Sequence, residues 1–231
     1  MRRIFAALVL ALSASAQAAP TPLVAVDIGH TVEAPGAISA RGRSELEFNQ
    51  ELALQVAAAL ERAGLRTVLV NADGRIESLE ARPASVPEAD FFLSIHHDST
   101  GEANLLPWEW QGTPQTYSDR WAGHSMFVST HNPAFESSVL CGRTIGARLQ
   151  RADFMPTDKN ARRRAYIDAE HAVHRFDKLI VLYRAQQAAL LFEAGVIKHR
   201  DEELLLRDPA RQARMAGEIA SGLAACLSVG R

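Results

Sequence analysis

A basic excess is missing from this sequence. Its 25 Lys and Arg are outnumbered by 27 Asp and Glu, giving a formal net charge of −2. That excludes the electrostatic footprint of a nucleic-acid-binding protein. A membrane-spanning hydrophobic run is missing too: Ile4 to Leu12 is too short to cross a bilayer as a permanent helix. Internal repeats and low-complexity segments are absent, so 231 residues of ordinary globular composition fit one large α/β domain. Cysteine is scarce. Cys141 falls in a helical stretch and Cys226 in the C-terminal one. Disulfide geometry is strict and a sequence gives no distance, so pairing and two small buried hydrophobes stand as equal readings. Tryptophan is absent from all but one segment, residues 101–123.

The first residues carry an address rather than a fold. Met1-Arg2-Arg3 is a basic n-region, Ile4 to Leu12 an apolar h-region, and Ala16-Gln17-Ala18 a small-residue cleavage site. Residues 1–18 are therefore expected to be a cleaved export signal, with the functional domain over 19–231. No cysteine follows the h-region, which argues against a lipid anchor and any stable membrane attachment. The destination is expected to be oxidising, where the two cysteines could pair.

What is present is a series of short apolar runs that end in polar groups. The most telling is Asp90 to Asp98: Phe91, Phe92, Leu93 and Ile95 read as a strand buried on both faces, ending in His96-His97-Asp98. Taken alone, one solvated histidine and one locally bonded histidine would explain that ending. In an open α/β sheet, however, chemistry sits outside the carboxyl ends of strands. Leu23 to Val26 is a similar strand, and the chain behind it carries His30. Ser44 and Glu47 then form a capping box, with Phe48, Leu52, Val56, Leu60 and Ala63 as the helical stripe and Gly64 as the stop. Glu45 opens that helix beside the loop carrying His30.

Thr67 to Val70 reads as a second strand and Ile76 to about Arg82 as a short helix. This β-α-β-α-β order implies right-handed crossovers and puts His30 and His96 at one end of the sheet. Residues 101–123 show no clear period and read as a functional loop holding Trp108, Trp110, Tyr117 and Trp121. Such rings either contact sugar or pack on one another. Ser125 to Ser129 reads as a strand and Phe135 to Gln150 as a helix. The polar, Arg-rich stretch 153–175 reads as loop, with His171 and His174 solvated. Leu179 to Tyr183 and Ala188 to Phe192 read as strands, the second ending at Glu193, and Pro209 to Leu227 as a final helix. The expected architecture is a mainly parallel sheet of about six strands with helices on both faces.

Four separated residues thus converge: His30, Glu45, His96 and Glu193. Two histidines and one carboxylate with an open position form a recurring catalytic zinc set. The remaining carboxylate suits a base, and zinc lowers the pKa of a bound water from 15.7 to about 7.

These residues sit in motifs that resemble a family. Asp27-Ile28-Gly29-His30, Gly42-Arg43-Ser44-Glu45 with Asn49, Ser94-Ile95-His96, and Leu190-Leu191-Phe192-Glu193-Ala194-Gly195 are similar, in order, to the zinc-dependent N-acetylmuramoyl-L-alanine amidases of type 3. The resemblance implies Zn2+ on His30, Glu45 and His96, and Glu193 as the catalytic carboxylate. It implies that His97 and Asp98 are not ligands. It also implies a peptidoglycan or muropeptide substrate, cleavage between N-acetylmuramic acid and L-alanine, the bacterial periplasm, and room for a protein activator. The chain departs from the family pattern at Thr31 and Val32, in the proline-bearing segment 82–90, and in the aromatic stretch 101–123, where Trp108, Trp110, Tyr117 and Trp121 are substrate-contact candidates. Two other functions fit the same residues: a zinc peptidase or amidohydrolase cutting another peptidoglycan bond, and a non-catalytic wall-binding regulator. All four site residues are present, which disfavours the second.

Overall fold

The computed structural model describes residues 20–229. The expected export signal, residues 1–18, lies outside the described residues. The first apolar run is buried at every position and forms β1 (Leu23–Ile28). Ser44 then caps α1 (Glu45–Arg62), with Glu47 Oε2 accepting from Ser44 N at 3.0 Å. There follow β2 (Arg66–Val70), α2 (Ala81–Ala84), β3 (Phe91–Asp98), β4 (Leu106–Trp110), β5 (Thr113–Tyr117), β6 (Ser125–Val128) and α3 (Phe135–Arg151). The chain ends with β7 (Tyr166–Asp168), β8 (Val173–Arg175), α4 (Ile180–Tyr183), β9 (Ala188–Val196), α5 (Arg200–Leu206) and α6 (Pro209–Ser228).

Seven strands make one sheet in the order β2-β1-β3-β9-β6-β8-β7. It is mainly parallel, as expected. The antiparallel pairs are β6 with β9 and β7 with β8. Side chains alternate between the two faces. Val24, Val26, Phe91, Leu93, Leu190 and Phe192 join the larger core with α1, α3 and α6. Ala25, Phe92, Phe127 and Leu191 join a smaller core closed by Val181 and Leu182 of α4. Each fully buried large side chain contributes roughly 1.5–3 kcal/mol. Helices therefore lie on both faces, but unequally: the second face has only one-turn helices.

Cys141 of α3 and Cys226 of α6 are bonded, with 5.2 Å between their Cα atoms and a sequence separation of 85. Both are also buried, so the two readings of these cysteines hold together. Among the described residues no helix is long and apolar enough to cross a membrane.

Several expectations need correction. The helix expected over Ile76 to Arg82 is only Ala81–Ala84. Before it, the Ile76 backbone is engaged by side chains, its N–H by Asn71 Oδ1 and its carbonyl by Arg82 Nε. The apolar run Leu179 to Tyr183 is not a strand. Both edges of β9 are already taken by β3 and β6, so this run packs as α4 across the sheet face. Glu193 does not end its strand, because β9 runs on to Val196. The stretch 153–175 is not all loop, since it contributes β7 and β8. His174 is fully buried there, its ring 4.3 Å from Tyr166 and 5.6 Å from Phe127, and His171 Nδ1 pairs with Asp168 at 3.2 Å. Residues 101–123 contain a hairpin, β4–β5, that turns at Gln111-Gly112 with φ of 49° and 77°. Two positive φ values are the signature of the turn whose twist suits a hairpin.

Candidate metal centre and active site

The site begins where β1 ends. Gly29 is required there by contact: a Cβ would lie 2.3 Å from His96 Nε2. The next residue, His30, has φ of 71°, a conformation uncommon outside glycine. Buried side chains hold it. Asn71 Nδ2 donates to the carbonyls of Ile28 and His30, both at 2.7 Å. Arg82 reaches the same carbonyls at 3.1 and 2.8 Å. The Arg82 guanidinium also lies 3.6 Å from Asp27 Oδ1, while Asp27 Oδ2 accepts from Ser94 Oγ at 2.6 Å. Burial pushes the Asp27 carboxyl above its usual range, and Arg82 works against that shift.

Glu45, the first residue of α1, points back over the sheet. Its Oε1 lies 2.9 Å from His30 Nε2 and 3.0 Å from His96 Nδ1. Its Oε2 accepts from Ala37 N at 3.2 Å. Gly36 allows this approach, since a Cβ there would meet Glu45 Oε2 at 2.7 Å. Burial alone would raise the Glu45 carboxyl; hydrogen bonds and charge from the two imidazoles hold it well below the usual carboxylate range. One helical turn later, Asn49 Nδ2 donates to Gly29 O at 3.1 Å and Asn49 Oδ1 faces His97 Nδ1 at 2.8 Å. α1 thus fixes both the acidic residue and the strand end below it.

The two histidines of β3 separate by strand parity. His97 turns into the larger core beside Phe48, and burial pushes its imidazole down to about 3. It is a neutral structural group. His96 turns the other way and pairs in register with Glu193 of β9. Glu193 is half-buried, with Oε2 sealed from solvent and lacking a hydrogen bond among the described residues. Burial, then Asp98, then Glu45 push its carboxyl well above the usual range, against the pull of Lys159. Asp98 is gripped by Lys159 Nζ at 2.7 Å and Asn160 Nδ2 at 3.0 Å.

Donor atoms of His30, Glu45 and His96 all lie within 4.8 Å of one another, the one such cluster among the described residues. Two imidazole nitrogens and a carboxylate oxygen are the donors zinc takes. An unpartnered buried carboxylate oxygen beside them is the kind of group that calls for an explanation. The residues present fit the ion.

The sequence profile of a family described as N-acetylmuramoyl-L-alanine amidase matches residues 24–225. The chain belongs to that family. The amidase is a hydrolase of the amide bond between N-acetylmuramic acid and L-alanine in peptidoglycan. Its fold is shared with solved structures. The catalytic domain of CwlV, an N-acetylmuramoyl-L-alanine amidase from Bacillus (Paenibacillus) polymyxa var. colistinus, superposes with a TM-score of 0.69 at 23% identity, over 90% of this chain and 99% of that one. The N-acetylmuramyl-L-alanine amidase of Mycobacterium smegmatis gives 0.71 at 20% identity, over 90% and 97%. The CwlD amidase of Clostridioides difficile, solved in complex with the GerS lipoprotein, gives 0.68 at 19%, over 90% and 100%. No curated protein matches the chain.

The four aromatic candidates divide. Trp108, Trp110 and Tyr117 stack on the hairpin, with ring centroids 5.5 and 5.8 Å apart from Trp108. Arg41 lies 4.7 Å from Trp110 and Arg200 3.8 Å from Tyr117, while the Trp108 indole donates to Ala40 O at 2.8 Å. Trp121 stands apart beneath Arg120, 4.3 Å from its ring. The cavity that opens at His30 and His96 is lined by none of the four. Its walls are mainly apolar, including Leu79, Ile180, Val181 and Leu191, and its volume is about 490 Å³. Asn71 and Arg82 are functional supports that sequence reasoning missed in this amidase. The one signal was an arginine flanked by apolar and proline residues, which nothing tied to His30.

Proposed function

We propose that this amidase works with one zinc ion held by His30, Glu45 and His96, and that Glu193 carries the proton. The observation behind this reading is the convergence of three donor atoms from three separate segments within 4.8 Å. When bound, zinc supplies Lewis-acid polarisation and lowers the pKa of water toward about 7. The rest belongs to the chain. Glu45 stays ionised under the pull of its two imidazoles, so it is ready as a ligand without first losing a proton. Asn71 and Arg82 hold the His30 backbone, and Gly29 leaves room for the His96 ring. Glu193 takes a proton from the attacking water and gives it to the alanine nitrogen as the C–N bond breaks. Burial and neighbouring negative charge raise its carboxyl above the usual range, which makes the carboxylate a stronger proton acceptor from water and helps it keep the proton until the nitrogen leaves.

The same reading sends the protein to the bacterial periplasm. The buried disulfide suits an oxidising compartment, and residues 1–18 read as an export signal. An accessory protein is a natural source of control, since the CwlD neighbour was solved with one. The deciding experiment digests purified peptidoglycan and identifies the new termini by mass spectrometry. Release of L-alanine amino termini is expected, lost on chelation and restored by zinc. His30→Ala and His96→Ala should lose most bound metal. Glu193→Gln should keep zinc while turnover falls by roughly a hundredfold or more. Near-wild-type turnover in Glu193→Gln would sink the proton-carrier role.

A further inference from the structure

Two cavities flank the site, and they differ in charge. The one opening at His30 and His96 has mainly apolar walls, two acidic residues, Glu33 and Glu77, and one cation, Arg82, already engaged by Asp27 and three carbonyls. The second, of about 180 Å³, is lined by Arg120, Trp121, Lys159, Asn160, Arg162 and Arg163 among others, with no acidic residue on its wall. In a chain whose net charge is −2, residues 159–164 hold four cations and no acid. Arg162 and Arg163 are exposed, and their side chains make no hydrogen bond or ion pair among the described residues.

The cationic cavity is tied to the reaction centre. Lys159 Nζ and Asn160 Nδ2 line it and also grip Asp98, two residues beyond His96. Asn160 continues to Ser125 Oγ at 3.1 Å, and Ser125 pairs in register with Glu193. Along the carboxyl end of the sheet His30 follows β1, His96 lies on β3 and Glu193 on the neighbouring β9, and the cavity's Lys159 and Asn160 bond Asp98 of β3 and, through Asn160, Ser125 of β6. Under the function proposed above, Glu193 hands its proton to the leaving alanine nitrogen. The peptide beyond that nitrogen must then run away from Glu193. One available wall is mainly apolar, its arginine already bonded internally; the other offers two arginines unpaired among the described residues, Arg162 and Arg163. A stem peptide bears free carboxylates, and an arginine fork binds a carboxylate through paired charge-assisted hydrogen bonds.

We propose that the Arg120–Arg162–Arg163 cavity is the leaving-group subsite and binds carboxylates of the stem peptide, so that an acidic stem is preferred over an amidated one. The inference rests on the amidase reading for its direction, and its test separates the two. Zinc-loaded wild type and the Arg162→Ala/Arg163→Ala variant are compared on muropeptides with free-acid and carboxamide stems. Binding of the corresponding free stem peptides is measured by calorimetry. Wild type should show a KM and a Kd about tenfold lower for the acid form, a factor typical of one partly exposed charged hydrogen bond. The preference should weaken as salt rises and vanish in the variant, which breaks no internal contact. Equal binding of acid and amidated peptides by wild type overturns the subsite, as does a preference that survives in the variant. Failure to release any alanine amino terminus would instead overturn the amidase reading, while the peptide-binding comparison would still decide the subsite.

Discussion

Arg82 offers the sharpest perturbation of the site's support. Arg82→Met keeps the long stem and removes every donor. Four contacts are lost: the carbonyls of Ile28, His30 and Ile76, at 3.1, 2.8 and 3.1 Å, and the ion pair to Asp27 at 3.6 Å. Asn71 still bonds the first two carbonyls, so neither is orphaned. Asp27 is left as a buried carboxylate without its cation, which typically costs about 3–5 kcal/mol. Its carboxyl already sits above the usual range through burial, so proton uptake relieves part of that cost. The lower end, about 3 kcal/mol, is therefore expected, or a fall in Tm of roughly 6–12 °C for a domain of this size.

Stability alone would not show that Arg82 serves the metal. The His30 backbone sits at φ of 71° and is held by these hydrogen bonds. Losing a support behind a ligand typically lowers metal affinity by about 10- to 100-fold. The assay is a zinc titration against a competing chromophoric chelator, run beside urea unfolding. The Asp27→Asn/Arg82→Met double variant removes the stranded charge and should recover most of the stability, yet keep the weakened zinc binding. An unchanged zinc Kd in Arg82→Met, at whatever stability, would refute the supporting role and leave Arg82 as core packing.

Other expectations follow from single features. The Cys141→Ala/Cys226→Ala variant opens an 85-residue span and should lose about 4–5 kcal/mol by chain entropy, read as a Tm lower by roughly 8–20 °C; an unchanged melt with and without reductant would contradict the bond. Trp108→Ala/Trp110→Ala is expected to lower Tm with KM unaltered, since these rings pack on one another and line no wall of the cavity at His30, whereas a KM on polymeric peptidoglycan raised several-fold at unchanged zinc content would mark them as substrate contacts. His124 is buried and its imidazole is pushed down to about 4 by burial. Its folded pKa lies below the unfolded one, so its contribution is intact above pH 6.5 and is lost as pH falls from there toward 4. Between pH 6.5 and 5 that amounts to roughly 1.5 kcal/mol. His124→Leu should flatten this limb of the unfolding profile, and an unaltered profile would exclude His124 as its source.

The strands that build the site were legible because parallel, fully buried strands read as apolar runs and their polar ends stand out against them. β1 and β3 announce His30 and His96 in this way. Glu45 was legible through the capping box that opens at Ser44, one residue before it, and Asn49 only through the family resemblance. The hairpin was not. Pro107 and Pro114 lie within β4 and β5 and argue against strands from sequence, although a two-stranded unit has free edges where proline is tolerated. Gln111 hides the turn, since asparagine is the residue that usually signals its left-handed first position. β7 and β8 are three residues each, too short to show alternation, and α4 carries the β-branched residues of a strand because its neighbours on the sheet face need them.

A deeper division separates the three candidate metal donors from the atoms that hold them. Ligand atoms must lie at chain positions that topology delivers to one sheet end, so their order and spacing can be read along the sequence. Asn71 and Arg82 act on His30 across 41 and 52 residues, and nothing local requires them there. Their amide and guanidinium donors are needed because His30 has turned its carbonyl away from the sheet ladder, where a neighbouring strand would otherwise bond it. A backbone placed at positive φ to aim an imidazole leaves an acceptor inside the protein, and a buried acceptor must find a donor. The same demand makes Arg82 tolerable in the core, since Asp27 and three carbonyls answer its charge and its N–H groups. The buried arginine is thus a consequence of how His30 is aimed, and it becomes visible only when the strand end is seen in three dimensions.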